Sequence, residues 1–87
     1  MIYSHQAAEM IFIFSSNNEL LNAEDALSEF GLSFRMIPTP KEVHSACGLA
    51  LAFDEPDRRT EYLATLKQAG LQPGVIYLRQ GRHFTVM

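Results

Sequence analysis

Met10-Ile11-Phe12-Ile13-Phe14-Ser15-Ser16-Asn17-Asn18-Glu19-Leu20 contains the change of period on which the fold turns. Met10–Phe14 is a continuous apolar, β-prone run with no polar face, the pattern of a strand covered on both sides. The polar residues after it have the spacing of a capping box, with the Ser16 hydroxyl three residues before Glu19. Leu20, Ala23, Leu27 and Phe30 then recur at helical spacing, with Glu24, Asp25 and Glu29 off that stripe. Gly31 is placed to end the helix.

Downstream, Leu32, Phe34 and Met36 alternate with Ser33 and Arg35, as in a strand with one buried face. Pro38 and Pro40 interrupt any ladder and open a loop. Leu49-Ala50-Leu51-Ala52-Phe53 is the next strand, its large side chains on one face and Gly48, Ala50 and Ala52 on the other. Asp54-Glu55-Pro56-Asp57 signals a second helix with a carboxylate cap and proline in the first turn. Tyr62, Leu63, Leu66 and Ala69 form its expected buried stripe, and Gly70 closes it. Pro73-Gly74 leads into a strand from Val75 to Leu78. Residues 80–87 are either a tail or a short extra strand at His83–Val86, and residues 1–8 a loose lead-in.

The predicted architecture is α+β in one domain, residues 1–87: a ferredoxin-like βαββαβ unit, its antiparallel sheet carrying two helices on one face. The first and third strands are apolar on both faces, so helices on one side leave the other in need of cover. A second copy, giving a homodimer, is the expected cover. The N- and C-terminal segments are the alternative.

The chain has 87 residues, a formal charge of −3 and 47% hydrophobic content, which is ordinary for one small globular domain. An acidic balance is a poor footprint for nucleic acid, apart from a small basic group at Arg79, Arg82 and His83. The small-residue face of the third strand also offers no stacking aromatics for RNA. The apolar runs are too short to span a bilayer, and the first six residues lack the pattern of a signal peptide. A cytoplasmic protein without nucleic-acid or membrane partners is expected. A single cysteine, Cys47, excludes an intrachain disulfide and fits a reducing compartment.

Chemistry concentrates in Pro38-Thr39-Pro40-Lys41-Glu42-Val43-His44-Ser45-Ala46-Cys47-Gly48. Cys47 reads either as a small buried hydrophobe or as a reactive thiol at a loop-to-strand junction. For the second reading, Lys41 and His44 are placed to favour the thiolate, and Gly48 removes a side chain beside the sulfur. Thr39 and Ser45 are hydrogen-bonding candidates for a thiolate or anion, or else simply turn formers. His44 and Cys47 have metal-ligand spacing, but no second pair completes a structural zinc site, so neither metal nor cofactor is expected. A Cys47–His44–Glu42 triad is too compressed in sequence to define a thiol enzyme.

The run Ile37–Val43, followed by Ser45-Ala46-Cys47-Gly48, resembles a family of small microbial proteins described as selenium/sulfur carrier-like. Phe14-Ser15-Ser16 and Gly74-Val75-Ile76-Tyr77 extend the likeness over about residues 9–79. The resemblance implies that Cys47 takes up and passes on sulfur or selenium as a persulfide or selenosulfide, as a carrier rather than an enzyme. It also implies a donor protein, such as a cysteine desulfurase, and an acceptor. Lys41 stands where arginine is more usual, keeping charge but losing bidentate anion binding. The position of His44 need not be histidine in that family. The alternative from the residues themselves is a non-catalytic ferredoxin-like binding or regulatory module, dimeric through its open sheet face, in which Cys47 is structural.

Overall fold

The computed structural model describes residues 8–43, 45 and 47–87. The expected lead-in therefore falls almost wholly outside the described residues. The elements are β1 (Glu9–Ile13), α1 (Asn17–Glu29), β2 (Arg35–Pro38), β3 (Leu49–Phe53), a 3-10 turn (Pro56–Arg58), α2 (Arg59–Gln68), β4 (Val75–Gln80) and β5 (His83–Val86). The chain is α+β, with five strands in the order β2-β3-β1-β4-β5 and every neighbouring pair antiparallel. The four-stranded expectation is exceeded by β5, which a two-residue turn at Gly81-Arg82 folds back onto β4. Pro38 is tolerated because β2 is an edge strand.

β1 takes the centre of the sheet because its apolar run satisfies both faces. Met10, Phe12 and Phe14 join Leu51 and Phe53 under the helices, which contribute Leu20, Ala23, Leu27, Tyr62 and Leu66. Aromatic contacts tie the layers together: the ring centroids of Phe12 and Phe53 lie 4.5 Å apart, and those of Phe53 and Tyr62 4.4 Å apart. Each such fully buried ring contributes on the order of 1.5–3 kcal/mol by removal from water.

The opposite face is covered within the single chain. Ile11, Ile13 and Ala50 are buried beneath Val43 from the proline loop, with Ile37, Tyr77 and Phe84 packed around them. The homodimer expectation assumed a bare apolar face, and that premise fails where Ile11 and Ala50 are both 0% exposed. Phe84 of β5 supplies the C-terminal half of the alternative cover. At the upper edge of this face, Glu9 accepts hydrogen bonds from both Arg35 and Arg79, and Arg35 also reaches Asp54 at 2.7 Å. Arg79 therefore belongs to an ion-pair network rather than to a free basic group.

Helix ends follow their sequence signals with two corrections. Ser16 caps α1 by accepting the Glu19 N–H at 3.2 Å, while the Glu19 carboxylate takes the Ser15 hydroxyl at 2.8 Å. Gly31 (φ 71°) and Gly70 (φ 75°) both end their helices in the left-handed conformation. The following N–H groups of Leu32 and Leu71 return to Leu27 and Leu66, closing Schellman turns. Phe30 and Ala69, expected in the buried stripes, instead sit at these turns and are exposed. The expected carboxylate cap of the second helix is also absent. The Glu55 carboxylate is engaged by Arg58 at 2.8 Å. Thr65 fills the gap in the α2 stripe, its hydroxyl turned back onto the Glu61 carbonyl at 3.0 Å.

Candidate functional site

The loop from β2 to β3 leaves the sheet at Pro38, folds Val43 under the sheet, and returns through Cys47 to Leu49. Its two ends are stitched together by Thr39. The Thr39 N–H donates to the Gly48 carbonyl at 2.9 Å, and the Thr39 hydroxyl donates to the Cys47 carbonyl at 2.8 Å. The Ser45 hydroxyl accepts the Cys47 N–H at 3.0 Å. The hydroxyls of Thr39 and Ser45 both hold the Cys47 backbone, the contact expected of turn formers. A turn closed by the Val43 N–H on the Pro40 carbonyl, 3.0 Å, carries Lys41 and Glu42, both exposed. His44 lies outside the described residues, so its expected role at the thiol has no geometry here.

Cys47 is 2% exposed and part of the core cluster beneath α1. Its thiol donates to Asn17 Oδ1 at 3.0 Å. Asn17 is the first residue of α1, itself exposed, and follows the Ser16 cap. The sulfur therefore lies beside the first turn of a 13-residue helix. Asn17 was not evident as a site residue in sequence. It stands 30 positions from Cys47, and its local signal is that of a helix start.

Asn17, which holds the sulfur, and Gly48, next in sequence to Cys47, line an open cleft of about 360 Å³ together with Leu20, Leu21 and Leu49. Leu21 (50% exposed) and Leu49 (39%) give it an apolar lip. A Cβ built on Gly48 would meet nothing within 4 Å. The glycine is thus not demanded by packing, and what it provides is open space next to the cysteine. The arrangement is a single thiol, polar contacts fixing its backbone, an amide on its sulfur, and an apolar cleft beside it. Among the described residues no group of three His, Cys, Asp or Glu side chains converges on a metal position, and no helix is long and apolar enough to cross a membrane.

No curated protein and no solved structure matches the chain. Residues 9–78, which run from β1 into β4 and include both helices and the loop that holds Cys47, match the family described as "Putative Se/S carrier protein-like", and the chain belongs to that family.

Proposed function

We propose that the protein carries sulfur or selenium on Cys47, receiving it from a donor protein and handing it to an acceptor. The observation behind this reading is the contact of the Cys47 thiol with Asn17 at the start of α1, beside an open cleft. In the loading step the Cys47 thiolate attacks the outer sulfur of a persulfide on the donor. A new S–S bond forms to Cys47, the bond from that sulfur to the donor cysteine breaks, and the donor leaves as a thiolate. One neutral sulfur atom moves, and no external oxidant or reductant is consumed. A selenosulfide donor transfers selenium by the same path. Delivery is the same exchange with an acceptor nucleophile. The absence of a second cysteine suits this role, because no internal thiol discharges the cargo as a disulfide. We take the donor to be a persulfide-forming enzyme such as a cysteine desulfurase, working in the reducing cytoplasm, and the four-stranded core with its helices to be a ferredoxin-like scaffold for the loop.

A second reading is favoured by one number, the 2% exposure of Cys47. In it the protein is a non-catalytic binding module and the cysteine is core filling. Incubation with a cysteine desulfurase and cysteine, followed by intact mass analysis, separates the two. The carrier reading expects a gain of one sulfur atom that is removed by a reducing thiol and absent in Cys47→Ser. A thiol that stays unloaded by the desulfurase, and is alkylated only in denaturant, sinks the carrier reading and leaves the binding module.

A further inference from the structure

We propose that a second site, at the opposite end of β3 from Cys47, binds a small zwitterionic amino acid. The site is a cleft of about 240 Å³ between the β2 edge and the start of α2. Its key group is Tyr62. The residue is 1% exposed, its ring held between Phe53, at 4.4 Å between centroids, and the Arg58 guanidinium, 5.6 Å from its centre. Its hydroxyl has no hydrogen-bond partner among the described residues, although no fully buried side-chain polar atom there lacks one. The hydroxyl must therefore open into the cleft that Tyr62 lines. The hydroxyl is thus a donor at the cleft with no protein partner, held in place by its buried ring, and a ligand oxygen can replace the water it meets there. Burial also pushes the Tyr62 hydroxyl above its usual range, with Arg58 opposing and Glu55, Glu61 and Asp57 reinforcing the shift, so it stays protonated and donates.

The charges in the cleft select the class of ligand. Arg35 and Arg58 line it together with Asp54 and Glu55, so its walls are balanced. Each guanidinium is already countered by two carboxylates: Arg35 by Glu9 and Asp54, Arg58 by Glu55 and Glu61. Walls carrying two cations and two anions offer a partner to each half of a zwitterion, and to a simple anion or cation only half of their contacts. Arg58 uses Nε and Nη1 for its carboxylates, and its Nη2 is uncommitted among the described residues. The Tyr62 hydroxyl and Arg58 Nη2 are the donors for a ligand carboxylate, and the Asp54 and Glu55 carboxylates the acceptors for its ammonium. The Phe34 ring provides an apolar wall for a short side chain. A volume below the roughly 300 Å³ at which sites for drug-sized ligands begin restricts the ligand to that size.

The test is an amide-resolved NMR titration of the full chain with L-serine, and separately with acetate and with methylammonium. Saturable shifts at Ser33–Arg35 and Asp54–Arg58 are expected with serine, and none with either half at the same concentration. Tyr62→Phe keeps the ring contacts and removes a hydroxyl that has no partner in the protein. It is expected to leave the melting temperature unchanged and weaken serine about tenfold, the loss of one buried hydrogen bond. Saturation by acetate alone or methylammonium alone overturns the zwitterion assignment. No saturable shift with millimolar serine, or unchanged affinity in Tyr62→Phe, overturns the site. Cys47 takes no part in the experiment, so its outcome is independent of sulfur transfer.

Discussion

Thr39→Val tests whether the β2–β3 loop gates the sulfur. Valine keeps the β-branched shape and the Thr39 N–H bond to Gly48, and removes only the hydroxyl that donates to the Cys47 carbonyl at 2.8 Å. Loss of one such bond, with the carbonyl left partly buried, costs about 1–2 kcal/mol. That cost falls on the closed loop, because in the open loop the carbonyl is hydrated in both proteins. The equilibrium for local opening then rises by a factor of about 5 to 30. With the sulfur 2% exposed, iodoacetamide reaches it only through such opening. When reclosing is fast, the alkylation rate tracks the open population. The expected result is therefore about a 5- to 30-fold faster alkylation in Thr39→Val, read by intact mass at fixed pH. Gly70→Ala is the control. It strains a residue at φ 75°, far from the loop in sequence, and lowers global stability by about 1–2 kcal/mol. Local gating leaves its alkylation rate at the wild-type value. Equal acceleration in both variants would mean that the thiol is reached only by global unfolding, and no acceleration in Thr39→Val would remove the Thr39 stitch from the argument.

Glu9→Gln is expected to lower stability by about 1–2 kcal/mol at neutral pH, the scale of charge-assisted hydrogen bonds at a partly exposed site. Burial pushes the Glu9 carboxyl up, but the bonds and charges of Arg35 and Arg79 outweigh it and hold the group below its ordinary 4.5. Its contribution is thus complete above the unfolded value and fades as pH falls through the folded one, so wild-type and variant urea midpoints should converge in acid. Parallel midpoints from neutral to strongly acid pH would remove the Glu9 network from the account of stability. Gly48→Ala meets nothing within 4 Å and requires no left-handed backbone, so its stability should stay within about 0.5 kcal/mol of wild type, while a side chain beside the cleft slows loading from a protein donor. A large loss of stability measured by thermal unfolding would show that the open space is structural.

Much of the scaffold was legible because its signals are local. Met10–Phe14 has no polar face, and the strand it forms lies at the centre of the sheet. The alternation of Leu51 and Phe53 with Ala50 and Ala52 placed the former under the helices and the latter on the other face. Gly31 and Gly70 marked both helix ends. The stripes ran one residue too far, because helical spacing does not register that the chain has already turned at Phe30 and Ala69. Thr65 carries no apolar signal in the sequence, although a hydroxyl bonded to its own helix packs like a small apolar group. Val43 was legible only as a loop residue, and that it plugs the second face depends on where the loop lands. The site is the same case: Cys47 was visible in the sequence, while its partner Asn17 and the cover over its sulfur come from contacts across 30 residues.

In the proposed carrier role, burial of the sulfur and carriage on it are compatible through the amide of Asn17. A neutral thiol needs an acceptor, and Asn17 Oδ1 provides it. A thiolate or a persulfide anion needs a donor, and the same amide carries two N–H groups on its other arm. Rotation about one side-chain bond exchanges them, and Asn17 is exposed, so little packing opposes the rotation. An aspartate at this place would serve the resting thiol and repel the reactive anion, and an aliphatic residue would serve neither. The amide, backed by the N-terminus of α1, accommodates both states without a second ionisable group. In the proposed carrier role, burial then has a use of its own: a persulfide on Cys47 is shielded from small thiols that would strip it until a partner opens the loop.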